Sequence, residues 1–206
     1  MIKNIIFDWS GVICDNTKNV YLAAMIIFKK FGVKKISFQT FKKEFKLPLM
    51  LFYNKYIPHL NLKDEKKLYA KEYVKLKKPL PYKHINKIIR ELKEKGIQMA
   101  VISSDPPIQL KKEIKRFQLE NIFITIKPWV HNKNTALKSV IKKNGFKLKE
   151  TIFIADTAHE IEIGNKIGIK TAAVSWGINN LNELSKAKPS YLIKKPTQIN
   201  RLIHDS

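Results

Sequence analysis

Residues 5–12 read Ile-Ile-Phe-Asp-Trp-Ser-Gly-Val, IIFDWSGV, an apolar run that stops at an acid. Bulky and β-branched residues in KNIIFD (3–8) predict a buried strand. A carboxylate at the end of such a strand is unfavourable unless it is paired, bound to a cation or in chemical use. Working outward, the same texture recurs in IQMAVISS (97–104), ETIFIAD (150–156) and IKTAAVSW (169–176), and more weakly in SYLI (190–193). Between these runs the apolar spacing changes to a helical one. PYKHINKIIRELKEKG (81–96) carries Ile85, Ile88, Ile89 and Leu92 before a stop at Gly96. PPIQLKKEIKRFQL (106–119) opens on prolines suited to a first helical turn. NTALKSVIKKNG (134–145) and HEIEIGNKIG (159–168) end in glycine. Strands alternating with helices predict an α/β fold with a parallel sheet covered on both faces.

Residues 16–80 break the alternation. NTKNVYLAAMIIFKKFG (16–32), ISFQTFKKEF (36–45) and DEKKLYAKEYVKLKK (64–78) read as amphipathic helices with no strand between them. PLP (79–81) reads as a linker back. The expected organisation is one α/β domain built from 1–15 and 81–206, interrupted by a helical domain over 16–80.

The 206 residues, 44% of them hydrophobic, suffice for one good core and a small satellite. No apolar stretch reaches the roughly 20 residues of a membrane span, and the N-terminal apolar run is too short for a signal peptide. Cys14 is the only cysteine, which excludes an internal disulfide or a thiolate metal cluster and suits the cytoplasm. The formal net charge is +23, yet Arg90, Arg116 and Arg201 are the only arginines among 40 basic residues. Base readout and bidentate phosphate recognition favour arginine. The lysines are also spread along the chain, so the charge reads as compositional bias and nucleic acid as an unlikely partner. A positive surface still draws small anionic substrates inward.

In open parallel sheets ligands bind at the carboxyl ends of the strands. Three strands end there in polar groups: Asp8, then Ser103-Ser104-Asp105, then Asp156. Asp105, before Pro106, reads as a helix N-cap. Asp8 and Asp156 on one rim repel unless a cation lies between them. Magnesium is the expected ion, because it accepts hard oxygen ligands and keeps room for water and phosphate. Lys133, just before a helix, projects toward the same rim.

In this order, Asp8, Ser103, Lys133 and Asp156 resemble the four motifs of the haloacid dehalogenase-like hydrolases. FDWSGV is similar to the first motif and AVISS to the second. HNKNTALKSVIKKNGFKLKETIFIAD is similar to the third and fourth, with Lys133 placed 23 residues before Asp156. GIKTAAVSWG followed by PSYLI looks like the phosphoglycolate phosphatase branch, whose helical cap sits where 16–80 lies. The resemblance implies a Rossmann-like three-layer α/β/α core with an all-helical cap. It implies a Mg²⁺-dependent phosphatase for a small phosphate monoester, working as a monomer or homodimer. Asp8 would be the nucleophile that forms an aspartyl phosphate. Gly11, Ser103, Ser104 and Lys133 would surround the phosphoryl group. Asp8, the Ser10 carbonyl, Asp156 and Glu160 would hold the metal.

The pattern departs from the family at Ser10, where most members carry a second aspartate that protonates the leaving group. A serine hydroxyl is a poor proton donor, and general acid–base catalysis is worth about 10²–10⁴-fold. Val12 also replaces a usual threonine. The alternative readings are therefore a binding or regulatory protein that keeps the fold, or a relative of phosphonoacetaldehyde hydrolase, whose first motif is similar. The latter needs a Schiff-base lysine, for which Lys46 is the nearest residue. His159 and His131 are the nearby residues that could replace the missing acid. Trp9 either faces the cap or packs inward.

Overall fold

The computed structural model describes residues 1–203, so the last three residues of the expected 81–206 segment lie outside the described residues. In chain order the elements are β1 (Asn4–Asp8), β2 (Cys14–Asp15), α1 (Thr17–Lys30), α2 (Phe38–Glu44), α3 (Met50–Tyr56), α4 (Leu62–Tyr73) and β3 (Leu80–Pro81). Then come α5 (Ile85–Glu94), β4 (Gln98–Ile102), α6 (Pro107–Arg116), β5 (Thr125–Lys127), α7 (Lys133–Asn144), β6 (Thr151–Ala155), α8 (Ala158–Ile167), β7 (Lys170–Val174), α9 (Leu181–Lys186) and β8 (Tyr191–Ile193), followed by a 3₁₀ turn over Pro196–Ile203. The chain separates into two compact units. One comprises Met1–Asp15 and the chain from Leu80 onward; the other is Asn16–Pro79.

The first unit holds a six-stranded sheet in the order β5-β4-β1-β6-β7-β8, with every pairing parallel. β1 lies inside the sheet, between β4 and β6, with Phe7 opposite Val101 and Ile154. Successive side chains of a strand point to opposite faces, and this alternation builds two cores. Ile5, Phe7, Met99, Val101, Ile152 and Ile154 pack with Ile85, Ile89 and Leu92 of α5 and Leu110 and Ile114 of α6. Ile6, Ala100, Ile102, Phe153 and Ala155 pack with Leu137 and Val140 of α7, Ile161 of α8 and Leu184 of α9. The result is helices on both faces of one sheet. Gly164 permits α8 to lie close on β7, because a Cβ there would stand 2.5 Å from Thr171 Cγ2.

Three short strands, β2, β3 and β5, escape the sequence reading. β5 is a three-residue edge strand too short for a periodic signal. The expected linker PLP is corrected to a strand: Leu80–Pro81 pairs antiparallel with Cys14–Asp15, Cys14 opposite Pro81. Its proline is tolerated because the two-stranded ribbon has only edges. The helix expected over 81–96 begins only at Ile85, after Tyr82 N–H has bonded the Ile13 carbonyl at 3.0 Å.

The second unit is all helical. Its core is aromatic: Phe28 stacks on Phe52 at 5.8 Å between ring centroids, and Phe41 meets Phe52 edge-on at 5.3 Å. The seven-residue helix α3, which follows Pro48, supplies Phe52 and Tyr53 to this core. No helix is expected over these residues from the sequence. Asn61 caps α4 by accepting from the Asp64 N–H at 3.0 Å.

Candidate active site

The site grows from the carboxyl ends of β1, β4 and β6. After Asp8 the chain turns tightly, and the Trp9 carbonyl accepts from the N–H groups of Ile13 and Cys14 at 2.9 and 3.0 Å. Gly11 sits in this turn at φ +75°, a conformation that suits glycine. It also lies against Asp156: a Cβ on Gly11 would fall 2.1 Å from Asp156 Oδ2, and one on Gly177 would fall 2.2 Å from the same atom. Two glycines thus form the walls of a slot for the Asp156 carboxylate. Its Oδ2 also accepts from the Ile178 N–H at 2.8 Å.

Lys133 is the first residue of α7, whose N-cap Asn132 accepts from the Thr135 N–H at 3.0 Å. Its ammonium is buried and donates to Asp8 Oδ1, to the Ile102 carbonyl at 3.2 Å and to Glu160 Oε1 at 3.0 Å. Glu160 is presented by the start of α8, where Thr157 accepts from the Glu160 N–H and donates to Glu160 Oε2 at 2.7 Å. Thr157, not Asp156, is therefore the cap of α8.

Asp8, Asp156 and Glu160 are all buried, and each offers an oxygen within 4.8 Å of the other two. Burial, then the Glu160 charge, raises the Asp8 carboxyl well above its ordinary value, while Lys133 opposes the rise. Burial, then Glu160, pushes Asp156 up to about 7. Burial disfavours the Lys133 ammonium, but the Asp8 and Glu160 carboxylates outweigh it and hold the lysine charged. Three carboxylates face one ammonium, so ionised they leave excess negative charge in a buried place. The residues fit a hard divalent cation, which would neutralise that excess through oxygen ligands.

Beside this cluster Asp105 gathers two hydroxyls. Its Oδ2 accepts from Ser10 Oγ at 2.6 Å and from Ser103 Oγ at 2.8 Å. The expected N-cap role of Asp105 is corrected here: no side chain caps α6, and the Asp105 carboxylate faces the site instead. Ser104 turns elsewhere, is exposed and donates to the Val130 carbonyl at 2.8 Å. Trp9 packs inward. It is fully buried, stacks on Phe117 at 5.5 Å and donates Nε1–H to Glu113 Oε2 at 2.7 Å. Of the two histidines, His159 is half-buried in the first turn of α8, and His131 is exposed beside Trp129. Lys46 belongs to the helical unit.

Asp105, Glu113 and Gly177 are the residues that sequence reasoning missed in these roles. Gly177 had a signal, since it directly follows the strand read as IKTAAVSW. Glu113 had none, because an acid on an amphipathic helix reads as solvent-facing.

A family model described as haloacid dehalogenase-like hydrolase matches residues 5–174. The chain is 25% identical over 210 residues to a phosphoglycolate phosphatase of Aquifex aeolicus, covering 94% of this chain and 96% of that one. It is 26% identical over 129 residues to the pyrophosphatase PpaX of Bacillus cereus, a match spanning 60% of each chain. Among solved structures, a predicted phosphatase from Clostridium acetobutylicum superposes over all of both chains with a TM-score of 0.87 at 19% identity.

Proposed function

Because this chain belongs to the haloacid dehalogenase-like hydrolase family, we propose that it is a Mg²⁺-dependent phosphatase in which Asp8 attacks phosphorus and carries an aspartyl phosphate. The observation that supports this most is the single cluster of Asp8, Lys133, Asp156 and Glu160 at the carboxyl ends of adjacent strands. Asp8, Asp156, Glu160 and the Ser10 carbonyl are the groups that would hold the ion. A bound Mg²⁺ supplies positive charge to the phosphoryl oxygens and lowers the repulsion between phosphate and carboxylate.

The protein's own groups do the rest. Lys133, fixed by two carboxylates and a carbonyl, orients the Asp8 carboxylate and adds a point charge beside the transferring group. Ser103 and Gly11 border the space where the phosphoryl oxygens would lie. Residues 16–79 are read as a cap that excludes water and selects the substrate. Water then attacks phosphorus in the aspartyl phosphate, an acyl phosphate, so that inorganic phosphate leaves and the Asp8 carboxylate is restored.

The test is phosphate release from a panel of phosphorylated compounds with Mg²⁺ or with EDTA, comparing the wild type with Asp8→Asn. Release that needs Mg²⁺ and disappears in Asp8→Asn is expected. Release unchanged in the variant overturns the reading. Ser10 favours a second reading, a phosphate-binding protein without turnover. Phosphate binding with no release from any compound would support it.

A further inference from the structure

The protons around Asp8 are committed to protein acceptors. A serine hydroxyl has one proton, and that of Ser10 goes to Asp105 Oδ2 at 2.6 Å. Ser103 gives its proton to the same oxygen at 2.8 Å, and its own Oγ accepts from the Asp105 N–H at 3.1 Å. An ammonium has three protons, and those of Lys133 meet Asp8, Glu160 and the Ile102 carbonyl. His159 adjoins Glu160 in α8, and neighbouring helical side chains do not share a face. Glu113, the other buried acid nearby, holds Trp9 Nε1–H and Gln109 Nε2–H at 2.7 and 3.2 Å. The side chains that border Asp8, Ser10 with its neighbour Ser103 and Lys133, thus offer charge to a phosphoryl group while their own protons rest on protein acceptors.

We infer that the substrate is a phosphoanhydride or an acyl phosphate, whose leaving oxygen departs without a proton, and not an alkyl phosphate monoester. This rests on the phosphatase reading above. An Asp8 carboxylate oxygen attacks phosphorus. The bond from phosphorus to the leaving oxygen breaks, and its electron pair stays on that oxygen. A carboxylate or a phosphate carries such a charge at neutral pH, since their acids ionise near pH 4 and pH 6. An alkoxide does not. Water then attacks phosphorus in the aspartyl phosphate, and the bond to Asp8 breaks with its electron pair restoring the carboxylate. One water proton stays on the attacking oxygen, and the other passes to a phosphoryl oxygen of the released dihydrogen phosphate. Neither half needs a proton from the protein.

The experiment is kcat/KM for acetyl phosphate, inorganic pyrophosphate, ethyl phosphate and glycerol phosphate with Mg²⁺, the Asp8→Asn rate being subtracted throughout. The expected result is that the two alkyl esters trail acetyl phosphate and pyrophosphate by about 10²-fold or more, the deficit a missing general acid leaves. Ser10→Asp is expected to narrow that ratio by restoring a donor. Alkyl esters hydrolysed as fast as acetyl phosphate would overturn the inference and leave the phosphatase reading intact. No Asp8-dependent release from any of the four would overturn both.

Discussion

At the scale of single residues, the site depends as much on what is absent as on its charged groups. Gly11 and Gly177 leave room for the Asp156 carboxylate, and a methyl on either would fall within 2.2 Å of its Oδ2. Mg²⁺ is expected to raise the melting temperature of the wild type, and Gly11→Ala and Gly177→Ala are both expected to displace Asp156 and to abolish that rise. Gly11→Ala carries an added backbone penalty of about 1–2 kcal/mol, because its φ is +75°. It should therefore melt lower than Gly177→Ala in EDTA. Thermal melts of the three proteins with and without Mg²⁺ check both points. An unaltered Mg²⁺ shift in either variant would show that Asp156 holds no ion.

At the scale of elements, two helices carry measurable consequences. In α4, Glu65 is buried against the Tyr53 hydroxyl, and burial pushes its carboxyl up to about 7. The folded form therefore prefers the protonated acid. The stability it confers is complete below the ordinary value of 4.5 and is lost as pH rises through about 7. Glu65→Gln removes that loss. Its stability relative to the wild type is expected to grow by about 3 kcal/mol between pH 4.5 and pH 8, read from urea melts followed through the tyrosine-rich helical unit. In α8, Gly164→Ala would drive a methyl to 2.5 Å from Thr171 Cγ2. A destabilisation of about 1–3 kcal/mol is expected. Thr171→Ser removes that methyl and keeps the hydroxyl bonded to Asn165 Oδ1 at 2.8 Å. The double variant should recover much of the loss, and a double-mutant cycle in urea reads the coupling.

At the scale of the whole molecule, the charge of +23 makes the folded chain repel itself. Screening shortens the Debye length from about 30 Å at 0.01 M salt to about 8 Å at 0.15 M. The melting temperature is expected to rise over that interval in potassium chloride. A flat response would mean that this self-repulsion contributes nothing measurable to stability. Among the described residues no helix is long and apolar enough to cross a membrane.

The sequence by itself determined the alternation of the longer strands and helices in the α/β unit and the identity of the groups at its strand ends. Alternating and helical periodicities are local signals, and Asp8, Ser103, Lys133 and Asp156 could be read one strand end or helix start at a time. Glu160 was legible too, at four residues after Asp156. What only the tertiary structure decided were the partners. Ser10 meets Asp105 across 95 residues, and Trp9 meets Glu113 across 104. Neither pair has a local pattern, because its members lie 95 and 104 residues apart in the chain. The short pairings of β2 with β3 and of β4 with β5 were settled there as well. Strands of two or three residues have no period to show, and form because longer elements bring their backbones together.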